Sequence, residues 1–429
     1  MKSALKFLFL SLSVVLFLNC SQETEKKAGT STFQVPVEYY RLDNGLKVIL
    51  SQDHTSPTAI VAVYYNIGFR IEPKDRTGFA HLFEHMMFQG SGNLGKMEFV
   101  KLVQQNGGLL NGSTRFDFTN YFEIIPSHKL ETMLWAEADR MRGLDISKDN
   151  LTNQQGVVKN EVKVNVLNQP YGGFPWLDMP QYANTNWYNA HNFYGDLEDL
   201  DAAGLEDVSS FFNTYYSPNN AALAIVGDFE IEEAKAWIQK YFGNIPAAAL
   251  PEKPDISEPK QLEEKEFVKN DSLANKPAIA LAYHMPERNS REYYAMGLLD
   301  QILVQGDNSL LAQKLVKDKG YTAGVNGGIN YLGNMFNYKG PMLWMYNLTY
   351  DKETSKTDIL TAIDEVMADL KSSVSQEMID RAIVKIRSKL YDDIGGTYGL
   401  GRADLLCSFA LFDDNPARIN TLEEEFRGI

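Results

Sequence analysis

The chain holds six histidines, and two of them stand four residues apart in a short apolar stretch. His81-Leu82-Phe83-Glu84-His85 lies within Thr77-Gly78-Phe79-Ala80-His81-Leu82-Phe83-Glu84-His85-Met86-Met87-Phe88. Apolar residues surround the polar ones at helical spacing, which predicts a buried helix. On a helix, positions i and i+4 share a face and lie about 6 Å apart along the axis. His81 and His85 can therefore turn both imidazoles toward one ion, and Glu84 projects near the same face. Two imidazoles and a carboxylate on a mostly apolar helix suit a catalytic zinc ion, Zn2+, which takes nitrogen and oxygen ligands and keeps one position open. The plain alternative is a pair of histidines that happen to fall at this spacing.

A third ligand would have to come from elsewhere in the chain. Val157-Val158-Lys159-Asn160-Glu161 offers one. Val157 and Val158 precede Glu161 by four and three positions, so a helix puts all three on one face. A carboxylate beside that valine pair faces the core and needs a partner. Taken alone, Glu161 reads as a solvated helix residue. Given the histidine pair, it is the best candidate for the third ligand.

The elements that must position these groups follow from the pattern around them. Glu38–Leu42 and Leu46–Leu50 flank Asp43-Asn44-Gly45, a hairpin signal. The continuous apolar run Thr58–Ile67 predicts a central strand. A charged loop leads into the histidine helix, and a second helix covers Met97–Asn106. Gly107 and Gly108 open one strand running to Tyr121; glycine beside a strand marks either close backbone approach or an ordinary bend. Helices are predicted over His128–Arg142 and Lys148–Asn168. Tyr171–Gly195 is aromatic and glycine-rich without a period, a long loop suited to border a substrate chamber, with His191 an ordinary loop histidine. A helix at Leu205–Tyr215, a strand at Ala221–Val226 and a helix at Glu230–Tyr241 complete this half.

Pro246, Pro251, Pro254 and Pro259 then mark a linker. After it the order of elements begins again: a strand at Pro277–Tyr283, helices at Tyr293–Val304 and Leu310–Lys317, strands at Thr322–Tyr331 and Pro341–Tyr350, and three more helices to Phe412. No second H-x-x-E-H occurs there. The pattern predicts a duplicated α+β unit with chemistry in the first copy. The expected divisions are a catalytic zinc-binding domain at 36–245, a linker at 246–261 and a non-catalytic homologous domain at 262–429. The second copy has no match for the strand and helix at 221–241, so it is expected to be incomplete at its C-terminal end.

The whole chain sets outer bounds. Its 429 residues allow two or three domains, and 44% hydrophobic residues allow large cores. A formal net charge of -15 argues against a nucleic-acid partner. Lys2 and Lys6 precede the apolar run Phe7–Leu18, which is too short to span a bilayer and fits an export signal over 1–20. Phe17-Leu18-Asn19-Cys20-Ser21 is similar to a bacterial lipoprotein cleavage site, although Asn19 stands where a small residue is usual. Cys20 would then carry the lipid, residues 21–35 would form a flexible tether, and the protein would sit on a membrane of the bacterial cell envelope. Cys407, the other of two cysteines, falls in an apolar run and reads as a buried small residue.

These residues resemble the pitrilysin/insulinase family of zinc metallopeptidases, inverted zincins whose H-x-x-E-H reverses the commoner H-E-x-x-H. The resemblance is carried by Gly78 to Phe88 and Val157 to Glu161. It extends to Asn168-Gln169-Pro170-Tyr171-Gly172 and to Tyr216-Ser217-Pro218-Asn219-Asn220-Ala221 through Phe229. It is closest to the shorter, processing-peptidase-like bacterial members. It implies two tandem α/β-roll domains, each a mixed or antiparallel sheet with helices packed on one face, forming half of a clamshell. It implies that His81, His85 and Glu161 bind Zn2+ and that Glu84 is the general base. It also implies that Gly107, Gly108 and Asn111 serve a strand that pairs with an extended peptide substrate. Two departures stand out. Gln154 replaces a glutamate many members carry. Val316 and Ala323 occupy the places of an arginine and a tyrosine that help bind substrate, with Lys317 and Tyr321 nearby but out of register. The expected activity is a zinc endopeptidase acting on peptides or unfolded chains, and the expected assembly is a dimer with a zinc-less paralogue that supplies the missing pair. The competing expectation is a binding or scaffold subunit that no longer cleaves.

Overall fold

The apolar run that begins at Thr58 forms the centre of a sheet. The computed structural model describes residues 33–396 and 399–429, so the expected export signal, Cys20 and most of the tether lie outside the described residues. Every residue of β3 (Thr58–Tyr65) after Thr58 is buried. It pairs antiparallel with β5 (Thr119–Pro126) on one side and β6 (Ala221–Gly227) on the other. β6 pairs parallel with β2 (Lys47–Gln52), and β2 carries β1 (Glu38–Arg41) across the expected hairpin. Gly45 takes φ +88° at that turn, a conformation glycine adopts without strain. β4 (Leu109–Thr114) pairs with β5 alone, giving the order β1-β2-β6-β3-β5-β4 with β4 at an edge.

Strand alternation then sorts the side chains onto two faces. Ala59, Val61, Val63 and Tyr65 of β3 join Leu223 and Ile225 of β6 in one core. Helices α1 (Phe79–Met86), α2 (Glu98–Gln105), α3 (Leu130–Arg142), α4 (Lys148–Val162), α5 (Leu205–Tyr215) and α6 (Ile231–Phe242) pack their apolar residues into the same core. The other face, including Ile60, Tyr64 and Ala224, is covered by a helix from the far end of the chain, Leu400–Asp413. The Tyr64 hydroxyl donates to Asp404 Oδ1 on that helix at 2.9 Å. Cys407, on the same helix, is fully buried, and burial pushes its thiol well up. It packs as a small apolar residue, as its sequence context suggests.

The second half repeats the pattern. β7 (Ala278–His284) leads to α7 (Arg291–Leu303) and a π-helical turn at Ala312–Asp318. Then come β8 (Asn326–Ile329) and β9 (Leu343–Thr349), followed by α8 (Lys356–Ser373), α9 (Gln376–Gly395) and α10, the Leu400–Asp413 helix. The antiparallel order β7-β9-β8 reproduces β3-β5-β4. Among the described residues the second sheet has no counterpart of β1, β2 or β6. Residues 246–277 between the two halves contain neither helix nor strand. Two tandem domains of α+β class therefore stand in one compact unit, Pro36–Ile429.

Two segments differ from the sequence reading. The single strand expected over 107–121 is a hairpin, broken between Thr114 and Thr119 and continuing as β5 to Pro126. The break is held by tertiary contacts. Asp117 turns inward to Arg70, Nε to Oδ1 at 2.8 Å, with both side chains buried. Asp117 Oδ2 also accepts the backbone N–H of Lys339 at 2.8 Å and of Gly340 at 3.2 Å. One buried carboxylate thus ties the turn after β4 to the loop before α1 and to the second domain. The loop Tyr171–Gly195 contains two short helices, Asp178–Ala183 and Trp187–Ala190. Its first part lines a wide cleft with the segment before β7, and its end reaches the histidine helix.

Candidate metal centre

Helix α1 is fixed before its histidines are considered. Phe79, Ala80, Leu82, Phe83 and Met86 are buried, and Phe83 stacks on Phe211 at 5.1 Å between ring centroids. The Tyr121 hydroxyl donates to the Phe83 carbonyl at 3.0 Å. At the helix start, the fully buried Glu72 accepts the backbone N–H groups of Gly78 and Ala80. A carboxylate there satisfies first-turn donors that lack intrahelical partners and meets the positive end of the helix dipole. Gly78 (φ +81°) and Gly195 (φ +68°) cross at that point. A Cβ on Gly78 would stand 2.4 Å from the Tyr194 carbonyl oxygen, so the crossing requires glycine. This contact brings the end of the aromatic loop against His81.

Helix α4 supplies the remaining ligand candidate. Ser147 caps it by accepting from Asn150 N–H. Leu151, Val158 and Val162 pack inward, but Val157 is 40% exposed, so only one residue of the expected valine pair faces the core. Glu161 therefore sits at the margin of the packed face, with 28% of its side chain exposed. Directly after it the helix widens into a π-helical turn, Lys163–Leu167, a feature frequent at functional sites.

The three side chains meet. His81 Nε2 and His85 Nε2 are 3.4 Å apart, His85 Nε2 is 3.2 Å from Glu161 Oε2, and His81 Nε2 is 3.6 Å from Glu161 Oε1. Three ligands about 2.0–2.1 Å from one ion in a tetrahedron stand about 3.3–3.4 Å from each other, so these separations fit a zinc-type site of two nitrogens and one oxygen. Among the described residues, His81, His85 and Glu161 form the group whose ligand atoms all lie within 4.8 Å of one another. The neighbouring imidazoles hold the Glu161 carboxyl well below the usual carboxylate range.

Glu84 stands outside this ligand group. Its Oε2 instead accepts the Thr114 hydroxyl at 2.8 Å. Tyr194, 6% exposed, sets its ring edge-on to His81 at 5.1 Å between centroids. Burial, with Glu161 and Glu84 nearby, pushes its phenol up to about 12, so it stays a neutral donor. The arrangement is three converging candidate ligands, a separate carboxylate and a neutral phenol on one side. That is the equipment of hydrolytic metal chemistry.

The other predicted residues fall as follows. Asn111 lies on β4, exposed, along the open edge. Gly107 and Gly108 precede that strand in a turn. Gly107 has φ +77°, and a Cβ on Gly108 would meet Val103 Cγ1 at 2.8 Å and the Ile124 carbonyl at 2.9 Å. Their glycine identity is explained by the turn itself. His191 stacks on Trp187 and bonds the Phe69 carbonyl at 2.7 Å, away from the ligand group. The family resemblance includes Thr114 in the strand after Asn111 without giving it a role, and nothing in the residue pattern points to Tyr194 or Glu72. For Thr114, the alternating burial of β4 carries a signal, since positions 112 and 114 face inward. For Tyr194, the adjacent Gly195 marks a close approach but not what approaches.

Comparison with known proteins places these residues in a family. The model described as "Insulinase (Peptidase family M16)" matches residues 47–186, which contain His81, Glu84, His85 and Glu161. The model described as "Peptidase M16 inactive domain" matches residues 203–385. The Helicobacter pylori protein named "Zinc protease PqqE" is 30% identical over 289 residues, covering 66% of this chain and 64% of that one. The Dictyostelium discoideum "Insulin-degrading enzyme homolog" is 29% identical over 220 residues, 48% of this chain and 21% of its own length. This chain thus spans less than two thirds of either relative. A solved protease from Helicobacter pylori shares the fold, with a TM-score of 0.83 at 23% identity over 92% of this chain and 94% of that one. With two family models covering most of its length and the candidate ligand residues inside the first, the chain belongs to the insulinase family, peptidase family M16.

Proposed function

We propose that this chain is a zinc-dependent endopeptidase that hydrolyses peptides or unfolded polypeptides, with Glu84 as general base. The observation that carries the reading is the division of labour in one small site. Three ligand atoms converge, and a fourth carboxylate beside them is held apart on a hydroxyl donor. A bound zinc ion would supply Lewis acidity, polarising a peptide carbonyl and making a water more acidic. His81, His85 and Glu161 would hold the ion. Glu84 accepts the proton of the attacking water and returns it to the leaving amine. The open edge of β4 offers backbone groups to an extended peptide, with Asn111 on that edge and the Gly107–Gly108 turn setting where it begins. Binding through the backbone admits varied sequences.

A second reading has one specific support. Val316 and Ala323 stand where the family resemblance places a substrate-binding arginine and tyrosine. On this reading the chain is a zinc-bearing subunit whose cleavage depends on a zinc-less paralogue, or a binding subunit that does not cleave. Both readings keep the protein exported and lipid-anchored through Cys20 at the cell envelope. Replacing Cys20 by Ser should then move it from the membrane fraction to the soluble one, and an unchanged distribution would remove the anchor.

The deciding experiment titrates metal-free protein with zinc and follows cleavage of a quenched unfolded peptide, with and without a zinc-less paralogue. The expected result is one zinc per chain and cleavage that a chelator abolishes and zinc restores. Zinc binding without cleavage in either arrangement favours the binding subunit. Absence of zinc binding sinks every cleaving reading and leaves only the binding subunit.

A further inference from the structure

Thr114 connects the edge strand to Glu84, and nothing in the ligand chemistry requires that connection. The hydroxyl is buried, 3% exposed, and has two acceptors in reach: Glu84 Oε2 at 2.8 Å and the Ala80 carbonyl at 3.3 Å. It has one proton to give. The nearer acceptor, at 2.8 Å against 3.3 Å, is the stronger partner. No other hydrogen bond to the Glu84 carboxylate is present among the described residues. A β-branched side chain is also stiff about χ1, so the direction of the hydroxyl follows the backbone closely.

That backbone is locked. Thr114 pairs with Thr119 across the hairpin, and the Thr119 hydroxyl donates to the Ile67 carbonyl at 2.8 Å. The carbonyls of Arg115 and Phe116 accept the N–H groups of Phe69 and Arg70 at 3.1 and 3.0 Å. Gly68 fits between them because it has no Cβ; one would stand 2.3 Å from the Arg115 carbonyl oxygen. Asp117 completes the clamp on Arg70. The opposite end of the strand, Leu109 to Asn111, runs along the open edge, with Leu109 59% exposed. One short strand therefore has a free end for a peptide and a clamped end that holds a carboxylate.

We infer that Thr114 is a positioning residue for Glu84, fixing the carboxylate from the strand that offers its edge to substrate. The inference rests on Glu84 acting as the base. A purely structural threonine would satisfy its own buried hydroxyl on Ala80, and its loss would affect stability but not the state of Glu84.

The test has a readout independent of turnover. Infrared difference spectra between metal-free proteins with and without Glu84→Gln isolate the Glu84 carboxylate stretch. In the Thr114→Val background that band should move and broaden, while Thr114→Ser should leave it in place. In the preparation that turns over, Thr114→Val should lower kcat about tenfold with KM and zinc content unchanged, and Thr114→Ser should restore it. A band unmoved by Thr114→Val overturns the contact. A moved band with unchanged kcat, or a kcat loss that follows zinc loss, overturns the positioning role. If Glu84→Gln itself turns over normally, the base assignment falls, and the infrared comparison still reads the Thr114 contact.

Discussion

Glu84→Gln is expected to bind zinc as the parent chain does and to lose about 1,000-fold in kcat, roughly 4 kcal/mol of barrier, within the range general acid–base groups contribute. The substitution keeps the size and hydrogen-bonding length of the side chain and removes its ability to take a proton. Thr114 can still donate to the amide oxygen, so the local packing has no reason to change. His81, His85 and Glu161 converge without Glu84, which is why the metal should stay. KM should move little, because peptide pairing along β4 does not involve this carboxylate. Metal analysis beside steady-state cleavage of an unfolded peptide decides the matter. Loss of zinc in the variant would make Glu84 a ligand. Retained turnover would assign the proton to another group.

The part of the site that follows the helical period is legible in the sequence alone. His81, Glu84 and His85 lie within one turn and a half of α1, and local geometry alone sets their common face. Glu161 was legible in kind but not in detail. The period correctly placed it beside Val158, yet Val157 points to solvent, because α4 packs along a narrower stripe than two adjacent valines suggest. The duplication was legible as a repeated order of strands and helices. What covers the outer face of the first sheet was not. The unbroken apolar run of β3 demands cover on both faces, and nothing local says that Leu400–Asp413 provides it.

Other features depend on partners far away in sequence. The strand expected to run to Tyr121 breaks because Asp117 is drawn to Arg70 and to the backbone at Lys339 and Gly340. A buried ion pair of that kind leaves no periodic trace. Of Gly107 and Gly108, which leave close approach and an ordinary bend both open, only Gly108 meets a close neighbour, Val103 and Ile124 within the turn that starts β4; Gly107 is a turn glycine at φ +77°. Tyr194 belongs to a loop without a period, and only the crossing of Gly78 and Gly195 brings it to His81. Local pattern brings out candidate ligands on a helix; the groups packed around them come from strand ends and loops, where tertiary contact decides.

Glu161→Ala is expected to weaken zinc binding about a hundredfold, and with it to remove most of the stabilisation that zinc confers on the folded chain. Structural zinc sites with four ligands bind with about 10–16 kcal/mol, so one ligand carries on the order of 3 kcal/mol, about two decades in affinity. Glu161 is also the anionic member of the trio; without it two neutral imidazoles face a dication with no compensating charge. In the parent chain, zinc at about 1,000 times its dissociation constant should add about 4 kcal/mol to unfolding stability, and Glu161→Ala should lose most of that. The metal-free variant should remain folded, because the α4 core rests on Leu151, Val158 and Val162 and Glu161 lies at its margin. Thermal unfolding with and without zinc, for parent and variant, separates ligand loss from misfolding. A variant whose zinc-dependent shift in Tm equals that of the parent would place the third ligand elsewhere, and the hydrolase reading would lose the site on which it stands.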